Sequence, residues 1–247
     1  MNAPTASDCS VSAAAEQMRH HTGVVIPIYL PESIDRKQGA TLVEQTVAAY
    51  CQQVSDPAAI CLSVDGEPFG GHLAQELACR YGTSLSLAPV NRGKLWAVRD
   101  GVRALMARAD LAYVAVVDQD GDHFAHELLN FVWAAQHIEA NGGSDRVLVI
   151  GRRSSRHRPM GFLRGELEEF ADRVLLDALA YHGAISGIPL RLEYAFALDE
   201  FPDFHSGYKL FSRAVAEDVF LGEPRLEGVT EDCYYRHACE AVMTVEA

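Results

Sequence analysis

Between residues 24 and 150, short apolar runs alternate with amphipathic stretches, and this alternation restricts the chain more than any other feature. Val24-Val25-Ile26-Pro27-Ile28-Tyr29-Leu30, Ile60–Val64, Leu85–Pro89, Tyr113–Val117 and Val147–Ile150 read as five strands. The first is apolar at nearly every position, as a strand covered on both faces requires. Helical spacing fills the gaps. Val43, Val47, Tyr50 and Val54 recur within 41–54, and Leu95, Val98, Val102, Leu105 and Met106 share one side of 94–109. Shorter helices are predicted at 72–81, closed by Gly82, and at 127–139. Strands alternating with helices predict an α/β fold: a Rossmann-like, mostly parallel sheet with helices on both faces.

The pattern changes after Gly151. A long helix is expected from about Gly165 to Ala180, then an irregular stretch holding Pro189 and Pro202, then helices at 212–220 and 231–241. The first 22 residues, rich in Ala, Ser and Thr, are expected to form a flexible tail or a short leading helix. They lack the basic start and apolar core of a secretory signal. Residues 23–247 are read as one catalytic domain, with a nucleotide-binding half at 23–150 and an acceptor half at 151–247. A chain of 247 residues that is 49% hydrophobic can bury a core of that size.

A net charge of −13 argues against general nucleic-acid binding. None of the six cysteines forms a C-x-x-C pair, so free thiols in a reducing cytoplasm are expected. No apolar run approaches the roughly 20 residues that span a bilayer. The expected location is therefore cytoplasmic, at most peripheral on a membrane.

The chemistry concentrates where the fourth strand ends, at Asp118-Gln119-Asp120-Gly121-Asp122-His123. Ligands of parallel sheets bind beyond the carboxyl ends of the strands. Three carboxylates this close repel one another unless a cation neutralises them. Mg²⁺ and Mn²⁺ prefer such oxygen ligands and bridge them to diphosphates. Asp120 is the first choice as ligand, with Asp122 and Asp118 beside it and His123 and His205 as weaker candidates. A solvated acidic turn is the plain alternative.

Val116-Val117-Asp118-Gln119-Asp120-Gly121-Asp122-His123, followed by Glu127-Leu128, resembles the D-x-D-G-x-H segment of family-2 glycosyltransferases of the GT-A fold. The similarity is greatest to the dolichyl- and polyprenyl-phosphate sugar transferases. Four further segments agree in order: Val25-Ile26-Pro27-Ile28-Tyr29; Asp65-Gly66; Asn91-Arg92-Gly93-Lys94 with Ala97 and Gly101; and Asp203-Phe204-His205-Ser206-Gly207-Tyr208-Lys209. Leu30 stands where the family usually has Asn, and Asp122 where the subgroup often has Gln. The resemblance implies that Pro27, Tyr29 and Asp65 meet the nucleotide base and ribose, and that Asp118 holds ribose or shares the metal. Lys94, at a helix start after Gly93, is a candidate diphosphate contact.

Arg152, Arg153, Arg156, Arg158 and Arg164 lie in a stretch without acids, residues 151–165, of an otherwise acidic chain. Arginine grips phosphate through its planar fork. Arg152, Arg153 and Arg164, with Lys209, are candidates for a lipid-phosphate acceptor or the departing diphosphate; salt bridges to acids of the chain itself are the alternative. The expected reaction moves a sugar from a GDP- or UDP-sugar to a lipid phosphate or a small alcohol, with inversion. A hydroxyl acceptor needs a base, for which Asp203, Glu231 and Asp232 are candidates. Two rivals are a sugar-phosphate nucleotidyltransferase, whose Gly-rich basic loop is replaced here by Leu30-Pro31-Glu32-Ser33, and a degenerate transferase that only binds nucleotide sugars.

Overall fold

The computed structural model describes residues 10–188, 190–192, 201–237 and 239–247. The chain divides into two compact units. One comprises the residues up to Val149 together with Gly207–Ala247, and the other is Ile150–Ser206. The segment from Gly207 onward, expected to belong with an acceptor half, instead completes the sheet unit.

That unit is α/β. Its strands are β1 (Thr22–Ile28), β2 (Ile60–Val64), β3 (Ser84–Leu87), β4 (Tyr113–Val116), β5 (Leu148–Ile150) and β6 (Lys209–Ser212). They form one six-stranded sheet in the order β3-β2-β1-β4-β6-β5. β1 pairs in parallel with β2 and β4, and β2 with β3, while β6 runs antiparallel to β4. The strand order therefore reverses between β1 and β4.

Side chains of β1 alternate between two cores, as the period of a strand dictates. Val24, Ile26 and Ile28 face α1 (Val11–His21), α2 (Arg36–Cys51) and α5 (Leu128–Gly142), through Met18, Val43, Val47, Tyr50, Leu128 and Val132. Val25, with Cys61 and Val116, faces α4 (Lys94–Met106), through Val98, Val102 and Leu105. Helices thus cover both faces. α3 (Gly71–Tyr81) joins the first layer and ends at Gly82.

The expected tail is in part a helix. Ser10 caps α1 by accepting the N–H of Ala13, and Ala14 and Met18 are buried against the first core. Residues 1–9 lie outside the described residues. On the other face, α8 (Arg213–Leu221) supplies Val215, Val219 and Phe220. A single π-helical turn (Cys233–His237) precedes α9 (Cys239–Glu246). Buried Arg99 of α4 holds this C-terminal segment, donating to the carbonyls of Phe220 and Gly222 and to the Tyr235 hydroxyl. Trp96 stacks on Tyr235 at 4.5 Å.

α4 approaches the sheet closely. A Cβ on Gly101 would lie 2.6 Å from Val25 Cγ1, and the Ser63 hydroxyl donates to the Ala97 carbonyl at 2.6 Å. The second unit contains α6 (His157–Met160) and α7 (Phe162–Ser186), so the helix expected at 165–180 is longer at both ends. Cys51, Cys61, Cys79, Cys233 and Cys239 are free thiols. Among the described residues, no helix is long and apolar enough to cross a membrane.

Candidate functional site

The acidic cluster begins two residues past the end of β4, next to the end of β1. The two strand ends are stitched together by Gln119. Its side-chain carbonyl accepts the Tyr29 N–H at 2.9 Å and its amide donates to the Tyr29 carbonyl at 2.7 Å. Thr46 of α2 donates to the Gln119 carbonyl. Gln119 was not singled out by the sequence, because a Gln between two Asp residues carries no signal until the facing strand end is known.

Lys94, expected at a diphosphate, is engaged within the protein. Its Nζ lies 2.6 Å from Asp118 Oδ1 and 2.6 Å from Glu240 Oε1. Burial alone would lower the Lys94 pKa, but the two carboxylates outweigh it and hold the ammonium well above its ordinary value. Burial pushes Asp118 and Glu240 upward, and Lys94 overcomes it in both, so both carboxyls titrate below their usual range. Lys209, expected at an acceptor phosphate, is fully buried, and its charge also lowers Asp118.

Asp118, Asp122 and His123 bring ligand-type atoms within 4.8 Å of one another. Asp120, the first choice from sequence, stands outside that set; its Oδ1 faces the Asp122 N–H at 3.4 Å. Burial, a hydrogen bond to Asp120 and repulsion from Asp120 and Asp118 push the Asp122 carboxyl up to about 7. His123 Nδ1 accepts the Asp118 N–H at 2.9 Å. Burial, opposed by Asp118, leaves the ring below its ordinary pKa, so the neutral form carries its proton on Nε2. That N–H faces Asp122 Oδ1 at 3.6 Å and Asp118 Oδ2 at 3.8 Å. His123 therefore orients carboxylates rather than offering a lone pair to a metal. Gly207 seals this corner, since a Cβ there would lie 2.5 Å from Asp118 Oδ2.

Asp65, expected at the nucleotide, is engaged within the protein. It is buried, and its carboxylate accepts the N–H groups of Arg92 at 2.7 Å and Gly93 at 3.0 Å. It thereby shapes the turn that starts α4 and aims Lys94. Gly93 is required in that turn: its φ is 111°, and a Cβ would lie 2.4 Å from the Tyr235 carbonyl oxygen. Pro27 is buried within β1, in register with Ser63. Tyr29 is exposed, its ring 5.0 Å from Phe69.

Of the bases expected in the C-terminal segment, exposed Asp232 pairs with Arg236 at 2.9 Å and His237 at 3.3 Å, and its neighbour Glu231 faces solvent. The C-terminal carboxylate that reaches the cluster is Glu240, whose approach depends on the π turn stacked against α4.

In the second unit, Arg153 and Asp203, expected at the acceptor and at the base, bind each other. Arg153 Nε and Nη2 donate to the two Asp203 oxygens at 2.9 and 2.6 Å, and Nη1 donates to Glu168 at 2.9 Å. Burial raises the Asp203 carboxyl, but Arg153 brings it below its usual range, which makes it a weak base. Arg156 joins the same network at Asp172 and Asp203, and His205 bonds Asp172 at 2.7 Å. Arg153, Arg156 and Arg164 of the basic loop thus face acids of the chain itself. Arg152 and Arg164 are exposed, Arg164 beside Glu168 at 3.2 Å. A second group of ligand-type atoms, from His157, Glu166 and Glu169, occurs here.

Compared with known proteins, the chain matches no family model and no curated sequence.

Proposed function

We propose that this protein is a divalent-cation-dependent glycosyltransferase of the GT-A type. It moves a sugar from a GDP- or UDP-sugar to an oxygen nucleophile of an acceptor, a lipid phosphate or a hydroxyl, with inversion. The observation that carries this reading is the place of the acidic cluster. It lies beyond the carboxyl ends of β1 and β4, where the strand order reverses and where sheets of this kind bind nucleotides.

The residues suit Mg²⁺ or Mn²⁺. Asp118 and Asp122 would hold the cation, with Asp120 adjacent. Burial and the neighbouring Asp120 and Asp118 hold the Asp122 carboxyl up at about 7, and a bound cation would relieve that repulsion. When bound, the cation supplies charge stabilisation to a leaving diphosphate. Within the chain, Lys94 fixes one oxygen of Asp118 and neutralises Glu240, and the His123 ring lies beside Asp118 and Asp122. Exposed Tyr29 offers a ring face for a base at the edge of β1.

The test is hydrolysis of a panel of UDP- and GDP-sugars with and without Mn²⁺. Nucleoside diphosphate should be released only with the metal, and Asp118→Asn should slow release by about a hundredfold or more. No release from any donor, or release indifferent to metal, would contradict the proposal.

A further inference from the structure

α7 presents an apolar stripe to solvent, interrupted at Asp177. Leu163, Leu167, Phe170, Val174, Tyr181 and, just past the helix end, Ile188 are each at least half exposed. Within the helix, from Leu163 to Tyr181, their numbering advances by four, three, four and seven, the 3.5-residue period of a helix that pairs with another helix. The exposed apolar patches of soluble monomers are commonly about 300–600 Å². Pairing this stripe along some 25 residues would cover roughly 800 Å² per chain, the size a specific, stable interface needs.

The stripe is also its own complement. Turned end for end about a point between Leu175 and Leu176, Phe170 meets the partner's Tyr181 and Leu167 meets the partner's Ala184. The central layer sets Val174 against the partner's Asp177, once from each copy. A charged position near the centre of an apolar seam is how paired helices fix register at a cost in stability.

Charge argues against an anionic bilayer as the occupant. α7 carries five acids, Glu166, Glu168, Glu169, Asp172 and Asp177, against Arg164 and Arg173. Glu168 and Asp172 are already neutralised by Arg153 and Arg156. Interfacial helices that lie on anionic bilayers have the opposite balance, and the whole chain carries −13. We infer that the occupant of this stripe is α7 of a second copy, packed antiparallel in a two-fold dimer.

Sedimentation equilibrium of the full chain at micromolar concentrations tests this. The wild type should fit a discrete dimer. The exposed-site double variant Leu167→Glu/Phe170→Glu should be monomeric with an unchanged circular-dichroism melt. Asp177→Leu should tighten the dimer on the order of tenfold, by completing the seam. A monomeric wild type, a dimer that survives the double variant, or an Asp177→Leu dimer that is weaker would each overturn the inference. So would a monomer that co-floats with phosphatidylcholine–phosphatidylglycerol vesicles, which would identify lipid as the occupant.

Discussion

Replacing Lys94 with Met tests how the site is held. The Lys94 ammonium lies between Asp118 and Glu240, and about a quarter of each side chain reaches water. Methionine keeps the bulk and removes the charge, leaving two carboxylates facing each other. Breaking a fully buried ion pair costs about 3–5 kcal/mol; partial exposure lowers this to roughly 2–3 kcal/mol. For a chain of this size that is a fall in Tm of about 4–12 °C by calorimetry. The pH dependence carries the sign. In the wild type, both carboxyls are depressed, so their contribution is complete above the ordinary values of 3.8 and 4.5 and is lost as pH falls through the folded values. In the variant, they are raised instead. Stability is then present at low pH and lost as pH rises through the folded values, so the gap from wild type should widen between pH 5 and pH 8. A second change, Glu240→Gln, should recover more than half of the loss. A gap independent of pH, or no recovery in the double variant, would refute the triad as the source of Asp118 ionisation.

Gly207→Ala should lower Tm and weaken Mn²⁺ binding together, because its methyl group enters the space of Asp118 Oδ2; a neutral result on both would show that the corner is loose. Burial pushes the Cys61 thiol up to about 12, so in native protein a thiol reagent should label exposed Cys79 and reach Cys61 only on unfolding, read by peptide mass spectrometry. Met18→Ala should cost about 2–3 kcal/mol in urea denaturation, since Met18 is buried against the first core; a change below 0.5 kcal/mol would mean that α1 docks weakly.

β1, β2 and β4 were legible because burial on both faces leaves little room for polar residues, and 60–64 was read to the residue; β3 and β5, only partly buried, stood out by their place between helical stretches. β6 was not legible: Lys209-Leu210-Phe211-Ser212 has four residues and opens on a lysine, and only its antiparallel place beside β4 explains the burial of that charge. α1 escaped a firm reading because its inner face is Ala14 and Met18, too small a pattern to register as periodic. The position of the acidic cluster followed from strand order, but its internal arrangement did not. That Lys94, Asp65 and Arg153 spend their charge on partners within the chain depends on contacts 24 to 146 residues away. Glu240 was invisible for the same reason: it lies in an ordinary helical stretch until the π turn swings it toward α4. Part of the stretch holding Pro189 and Pro202 lies outside the described residues.

The central claim is that the Asp118–Asp122 corner seats a cation together with a nucleoside diphosphate. Titration calorimetry with GDP and with UDP, each with and without Mn²⁺, measures it directly. One nucleotide should bind per chain only when Mn²⁺ is present, and Asp122→Asn should abolish that binding while leaving Tm unchanged or raised. Binding that ignores the metal, or that Asp122→Asn leaves intact, would contradict it.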